Sequence, residues 1–236
     1  MPLKRLEALE VLAKGKIVLV IVDDEKCMRE AFCMVFHSPI YTVHTAGSFE
    51  EARELITRLP ESHCWLVDHF LGPGGTGTAL LSFRPDFRFT ILISGKGDFD
   101  LAQTARDKDP FLLIKKPFNT VELLHNVSRV AALGCIFSGC SHDFIPKAKL
   151  LFSKNIKKPG EWAEVACMSL RSLQEACRKQ TGLAPKQIIC LYHALFAALT
   201  GLSPAKEEER FYQDAVDYVL KNFGEICLCH NSLKKR

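Results

Sequence analysis

The stretch KIVLVIVDDE, Lys16–Glu25, decides the fold. Its core, Ile17–Val22, is wholly apolar and mostly β-branched, so it has no polar face to turn to water. That is the pattern of a strand buried on both sides, and it ends abruptly in two carboxylates. HCWLV (His63–Val67), FTILIS (Phe89–Ser94) and FLLIK (Phe111–Lys115) repeat it, while IYTVHTA (Ile40–Ala46) is weaker and suits an edge. Between these runs the period changes to that of helices. EKCMREAFCMVF places Met28, Ala31, Phe32, Val35 and Phe36 on one stripe. SFEEARELITRL opens with Ser48 three residues before Glu51, a capping box, and NTVELLHNVSRVAAL has Asn119 as an N-cap with Leu124, Val127 and Ala131 facing inward. Strands alternating with helices predict the α/β class, a doubly wound five-stranded parallel sheet with right-handed crossovers. Ligands of such sheets bind beyond the carboxyl ends of the strands.

At those ends the first strand carries Asp23 and Asp24, the third Asp68, the fourth Ser94 and the fifth Lys116. Three carboxylates on one rim repel one another, so a hard divalent cation, Mg²⁺, is expected among them. The hydroxyl and the ammonium are left to hold an anion beside it. The set suits phosphoryl transfer onto a carboxylate, where the protein supplies positioning and charge neutralisation. The glycines of GPGGTG (Gly72–Gly77) serve backbone turns, because no GK[ST] follows to make a nucleotide loop.

IVDDE, VDHFLGPGGTG, LISGKGD and KKPF, in this order, make residues 16–132 resemble the receiver domain of two-component response regulators. The resemblance implies that Asp68 is the phosphoacceptor. It implies Mg²⁺ held by Asp23, Asp24, Asp68 and the main-chain carbonyl of Phe70, and a phosphoryl group held by Ser94 and Lys116. A sensor histidine kinase is the implied donor, and pairing of phosphorylated receivers into a homodimer the implied response. Lys115 points the other way by strand alternation. Two places depart from the pattern. Leu113 stands where an aromatic reporter is usual, with Phe111 two positions earlier on the same side, and Asp109-Pro110 replaces Gly-Ala before the fifth strand.

The composition, 47% hydrophobic and 25% charged over 236 residues, is that of a water-soluble chain with room for two domains. No apolar run reaches the roughly 20 residues a spanning helix needs. Residues 1–15 read as a short leader, not a signal peptide, so a cytoplasmic protein with no membrane partner is expected. The ten cysteines are scattered; Cys27, Cys33, Cys64, Cys167, Cys177 and Cys190 lie in apolar segments and read as small core residues. Neither Cys135, Cys140, His142 nor Cys227, Cys229, His230 has zinc-finger spacing. Residues 1–134 carry 16 basic and 17 acidic side chains, and residues 135–236 carry 15 and 10. A net of −1 in front and +5 behind assigns any polyanion to the back half.

After an expected linker, 133–145, the chain reads as an all-α domain over 146–230. Trp162, Val165 and Ala166 form one short apolar stripe, Met168-Ser169 a turn, and Leu170, Leu173, Ala176 and Cys177 a second stripe: a helix-turn-helix. Ser169 caps the second helix, whose outer face offers Arg171, Ser172, Gln174, Glu175 and Arg178. Arg and Gln there suit base edges, and Ser and Lys179 suit phosphates. Ser169, Arg171, Leu173, Thr181-Gly182 and Pro185 resemble the first helix-turn-helix subdomain of AraC-type transcription regulators, and so does the helix from Lys186 to Leu199. No second turn signature follows, so the module reads as truncated. The expectation is a signalling protein rather than an enzyme: a response regulator accepting phosphate on Asp68 and acting on double-stranded DNA. The competing reading is a phosphorelay or protein-interaction adaptor, whose helical half binds a partner protein.

Overall fold

The computed structural model describes residues 17–60, 62–83, 89–95, 110–201 and 206–223. The expected leader, Asp109 and the Cys227, Cys229, His230 group lie outside the described residues. The chain divides into two compact units: Ile17–His37 with Tyr41–Gly134, and Ser38–Ile40 with the residues from Cys135 on.

In the first unit five parallel strands, β1 (Ile17–Val22), β2 (Tyr41–Ala46), β3 (Cys64–Asp68), β4 (Thr90–Ser94) and β5 (Leu112–Lys115), pair in the order β2-β1-β3-β4-β5. This is the doubly wound α/β fold predicted above. β1, β3 and β4 are interior, and their apolar runs are buried on both faces. On one face Val20, Val22, Trp65, Val67 and Leu92 pack with Ala52 and Leu55 of α2 (Phe49–Arg58) and with Leu80 of α3 (Gly77–Leu80). The alternate residues Leu19, Ile21, Leu66, Ile91 and Ile93 are equally buried. Phe32 and Phe36 are the buried positions of α1 (Lys26–Val35) and its C-cap. β5 departs from expectation. It lies at the sheet edge with alternating exposure, and Leu113 is 40% exposed, because only one of its sides is paired.

Local signals account for the helix starts. Ser48 Oγ accepts from the Glu51 N–H at 3.2 Å, while Glu51 accepts from the Gly47 N–H at 2.7 Å. Asn119 Oδ1 accepts from the N–H groups of Val121 and Glu122, opening α4 (Thr120–Phe137). Its buried stripe is Leu123, Val127, Val130 and Ala131; Leu123 takes the place expected for Leu124.

The expected linker is helical over its first five residues, and Leu133, Cys135, Ile136 and Phe137 are buried. Gly134 lies in the stretch expected to be a linker. It is no loop signal but a close approach inside a helix, since a Cβ there would run into the His63 carbonyl.

The second unit is all-α: α5 (Ile145–Lys154), α6 (Pro159–Val165), α7 (Leu170–Thr181), α8 (Pro185–Thr200) and α9 (Lys206–Phe223). Trp162 is buried and donates through Nε1 to the Lys147 carbonyl, 2.9 Å away, and its ring meets Phe144 edge-on. α6 to α7 is a tight helical corner, with Met168 N–H bonded to the Ala163 carbonyl and Cys167 at φ 53°. Trp162 and Ala163 are the inward residues of α6, whereas Val165 and Leu170, expected inward, are 37% and 44% exposed. They flank the turn, at the last residue of one helix and the first of the next, where neither faces the core. α7 ends on Gly182 at φ 77°, and Pro185 opens α8, which explains the Thr181-Gly182-x-x-Pro185 spacing. α8 is buried on nearly every face and packs against α9, an unbroken 18-residue helix. Cys64, Cys177 and Cys190 are buried, as expected of core thiols, but Cys27 and Cys167 are exposed because they sit at a helix start and in the turn. Among the described residues no single helix is long and apolar enough to cross a membrane.

Candidate functional site

Strand register brings the sequence-selected residues to one rim. Asp68 is the last residue of β3 and pairs with Ile93; Ser94 follows on β4 and pairs with Lys115; Lys116 N–H donates to the Ser94 carbonyl at 2.6 Å. β1 delivers Asp23 and Asp24 beside them, with Asp23 N–H bonded to the Ala46 carbonyl at 3.2 Å. Carboxylate oxygens of Asp23, Asp24 and Asp68 all lie within 4.8 Å of one another, the one such grouping among the described residues. Lys116 Nζ is 3.0 Å from Asp68 Oδ1 and 3.7 Å from Asp23 Oδ2. Lys115 is exposed, as strand alternation requires. Ser94 is 5% exposed and its hydroxyl donates to the Gly95 carbonyl at 3.4 Å. Phe70 lies two residues past Asp68, 64% exposed and with its backbone bridged to Thr76. That bridge folds the glycine-rich turn back, and Gly77 packs so close behind Asp68 that a Cβ there would run into its carbonyl.

The electrostatics follow from burial. Asp23 and Asp68 are nearly inaccessible. Burial pushes the Asp23 carboxyl up to about 6, opposed by the Glu25 N–H and reinforced by the neighbouring Asp68 charge. Burial also raises Asp68, against the pull of the Lys116 hydrogen bond and charge. For Lys116 burial alone would favour the neutral amine, but the Asp68 hydrogen bond and the Asp68 and Asp23 charges outweigh it and raise the ammonium. One lysine thus offsets a site that still carries excess negative charge. Asp23 Oδ2 is buried with no hydrogen-bond partner. Oxygen ligands from three carboxylates, with one buried oxygen left without a hydrogen bond, fit a hard divalent cation.

Reading the sequence missed Arg29 and the Glu25 N–H. Arg29 Nη1 donates to the carbonyls of Asp23 (2.7 Å) and Asp24 (3.1 Å), and Glu25 N–H donates to Asp23 Oδ1 (2.9 Å). A cation near a helix N-terminus opposes the dipole and so stands out in the sequence, but nothing there says that its partners are these two carbonyls.

In the second unit Ser169, Arg171, Ser172, Gln174, Arg178 and Lys179 are all exposed, on or beside α7. Ser169 Oγ accepts from the Ser172 N–H at 3.0 Å and lies 2.8 Å from the Ser172 hydroxyl, so both serines serve the N-cap. Arg171 Nε is paired with Glu175 at 3.0 Å on the same helix.

In fold the first unit is flavodoxin-like, a five-stranded parallel α/β sheet in the order β2-β1-β3-β4-β5. No family model matches the chain. A stretch of 120 residues is 28% identical to the sensor kinase CckA of Brucella abortus (strain 2308), covering 49% of this chain but 13% of that protein. Solved structures similar to this chain include two receiver domains. One is the signal receiver domain of an HD domain-containing protein from Pseudomonas fluorescens Pf-5, with 20% identity over 51% of this chain and 90% of that one and a TM-score of 0.46. The other is a CheY-like response regulator receiver domain from Methanospirillum hungatei JF-1, with 23% identity over 47% and 90% and a TM-score of 0.41.

Proposed function

We propose that the chain is a phosphorylation-controlled response regulator that accepts a phosphoryl group on Asp68 from a sensor histidine kinase. The observation that carries this reading is the ion pair of Asp68 with Lys116, 3.0 Å long, on a rim shared with two further carboxylates and Ser94. Mg²⁺ would be held by Asp23, Asp24, Asp68 and the Phe70 carbonyl, and when bound it neutralises the carboxylates and the phosphoryl oxygens. An Asp68 oxygen forms a bond to phosphorus as the P–N bond of a phosphohistidine breaks. The electron pair stays on the imidazole nitrogen, which takes up a proton. Lys116 leaves the carboxylate for a phosphoryl oxygen, and Ser94 turns its hydroxyl from the Gly95 carbonyl to another. Incubation with acetyl phosphate and Mg²⁺ tests this: the mass should rise by one phosphoryl group on Asp68, and an unmodified protein would refute it.

The helical unit is the output, and double-stranded DNA is its proposed ligand through Arg171, Gln174, Arg178 and Lys179. The exposed face of α7 behind a tight helical corner and the positive charge of residues 135–236 support that reading. A second reading, an adaptor contacting a protein, is favoured by two observations. Arg171 is engaged by Glu175, and Val165 and Leu170 expose apolar surface beside the turn. Salt-dependent binding of the full chain to duplex DNA separates the two.

A further inference from the structure

Arg29 stands four residues into α1, where a cation opposes the helix dipole, yet its side chain is half-buried. One nitrogen, Nη1, donates to two consecutive main-chain carbonyls, Asp23 O at 2.7 Å and Asp24 O at 3.1 Å. The second of these peptides also carries the Glu25 N–H that donates to Asp23 Oδ1 at 2.9 Å. The guanidinium lies in the space left by Gly47, just beyond β2, where a Cβ would come within 2.9 Å of Nη1. A bond to the Asp24 carbonyl therefore fixes the peptide plane that grips one oxygen of Asp23. The other oxygen, Oδ2, is buried without a hydrogen-bond partner, 3.7 Å from Lys116 Nζ.

We infer that Arg29 is a positioning residue for the divalent cation, clamping the Asp23 and Asp24 main chain so that both carboxylates converge on the ion. Two mutually repelling acids at a loop would otherwise splay apart; the two N–H groups of Nη1 hold both carbonyls at once, with directions fixed by the planar guanidinium. The inference rests on the Mg²⁺ reading given above and names the residue that builds that site from behind. In this role Arg29 acts through the backbone that bears the ligands, by its bonds to the Asp23 and Asp24 carbonyls.

The test is calorimetric titration of Mg²⁺ into the full chain with no phosphodonor, alongside melting in EDTA to show which variants are folded. Arg29→Met, which keeps the apolar stem, should weaken Mg²⁺ binding about tenfold or more, the usual effect of losing a ligand-orienting partner. Arg29→Lys should recover part of the loss. Gly47→Ala leaves the arginine in the chain but pushes its guanidinium aside, and should also weaken binding. It decides the matter if Arg29→Met does not fold. Wild-type affinity in the folded variants would overturn the role of Arg29 while leaving the cation site standing. A wild-type protein that takes up no Mg²⁺ would overturn the site and this inference together.

Discussion

Asp68 is both buried and ion-paired, and these two facts govern what its substitutions should do. Asp68→Asn keeps the shape and removes the nucleophilic charge. Labelling by acetyl phosphate should vanish while the circular dichroism spectrum is unchanged; undiminished labelling would remove Asp68 from its proposed role. The three crowded carboxylates predict a second effect. Mg²⁺ relieves their repulsion and binds only the folded chain, so at a hundredfold excess over Kd it should add about 2.7 kcal/mol of stability. Thermal melting with and without Mg²⁺ measures it, and Asp24→Ala should abolish most of the gain. A melting curve indifferent to millimolar Mg²⁺ would require another account of the cluster.

Elements are held by details that a helix or strand pattern does not display. The turn after β3 closes because Gly77 lets the chain lie against the Asp68 carbonyl. Gly77→Ala should cost about 1–3 kcal/mol by overpacking and slow phosphorylation of Asp68, as chemical denaturation and labelling rates would show. At the start of α6, Glu161 Oε2 accepts from the N–H groups of Lys157 (3.0 Å) and Lys158 (3.1 Å). The Lys157 N–H, foremost, holds the Glu161 carboxyl below its ordinary range. A carboxyl lowered in the folded state stabilises above its unfolded value, near 4.3. That contribution is lost as the pH falls through the lower, folded value. Glu161→Ala should therefore cost on the order of 0.5–1 kcal/mol at pH 7, and the difference from wild type should shrink toward pH 3. A difference that persisted at pH 3 would assign the loss to packing.

At the scale of the whole molecule the proposal predicts two subunits on DNA. The proposed reader is the corner between α6 and α7, and α9 runs unbroken where a second reader would begin. A single small module buries too little surface for tight specific binding, so paired subunits should read half-sites about 10–10.5 base pairs apart or a multiple of that. Phosphorylation would raise the effective concentration of the second reader by pairing receivers. Arg171→Ala should cost roughly 1–3 kcal/mol and relax one base step in each half-site. Its surface pair with Glu175 is worth at most a fraction of that, so the arginine is free to exchange partners. Lys179→Ala should weaken all duplexes alike and flatten the salt dependence. Footprinting that shows one half-site saturated by a monomer would end the dimer model.

Sequence alone determined the α/β class, the five strands and the set Asp23, Asp24, Asp68, Ser94 and Lys116, because strands buried on both faces cannot hide their composition and polar residues at their ends stand out against it. It also determined the caps at Ser48, Asn119 and Ser169, which depend on neighbours three residues away or fewer. Tertiary structure decided the rest. β5 is apolar like its neighbours, and only pairing order makes it an edge. Phe111, placed by alternation on the same side of its strand as Leu113, stacks on Phe89 with ring centres 5.9 Å apart, at the strand ends opposite Asp68. Gly134 resembles a loop glycine until the His63 carbonyl is brought against it. The bonds from Arg29 to Asp23 and Asp24 end on main-chain carbonyls, which every residue possesses, so no side-chain pattern records them. Contacts written in side-chain type and short spacing were legible; contacts made by backbone atoms, or between segments distant in the chain, had to wait for the fold.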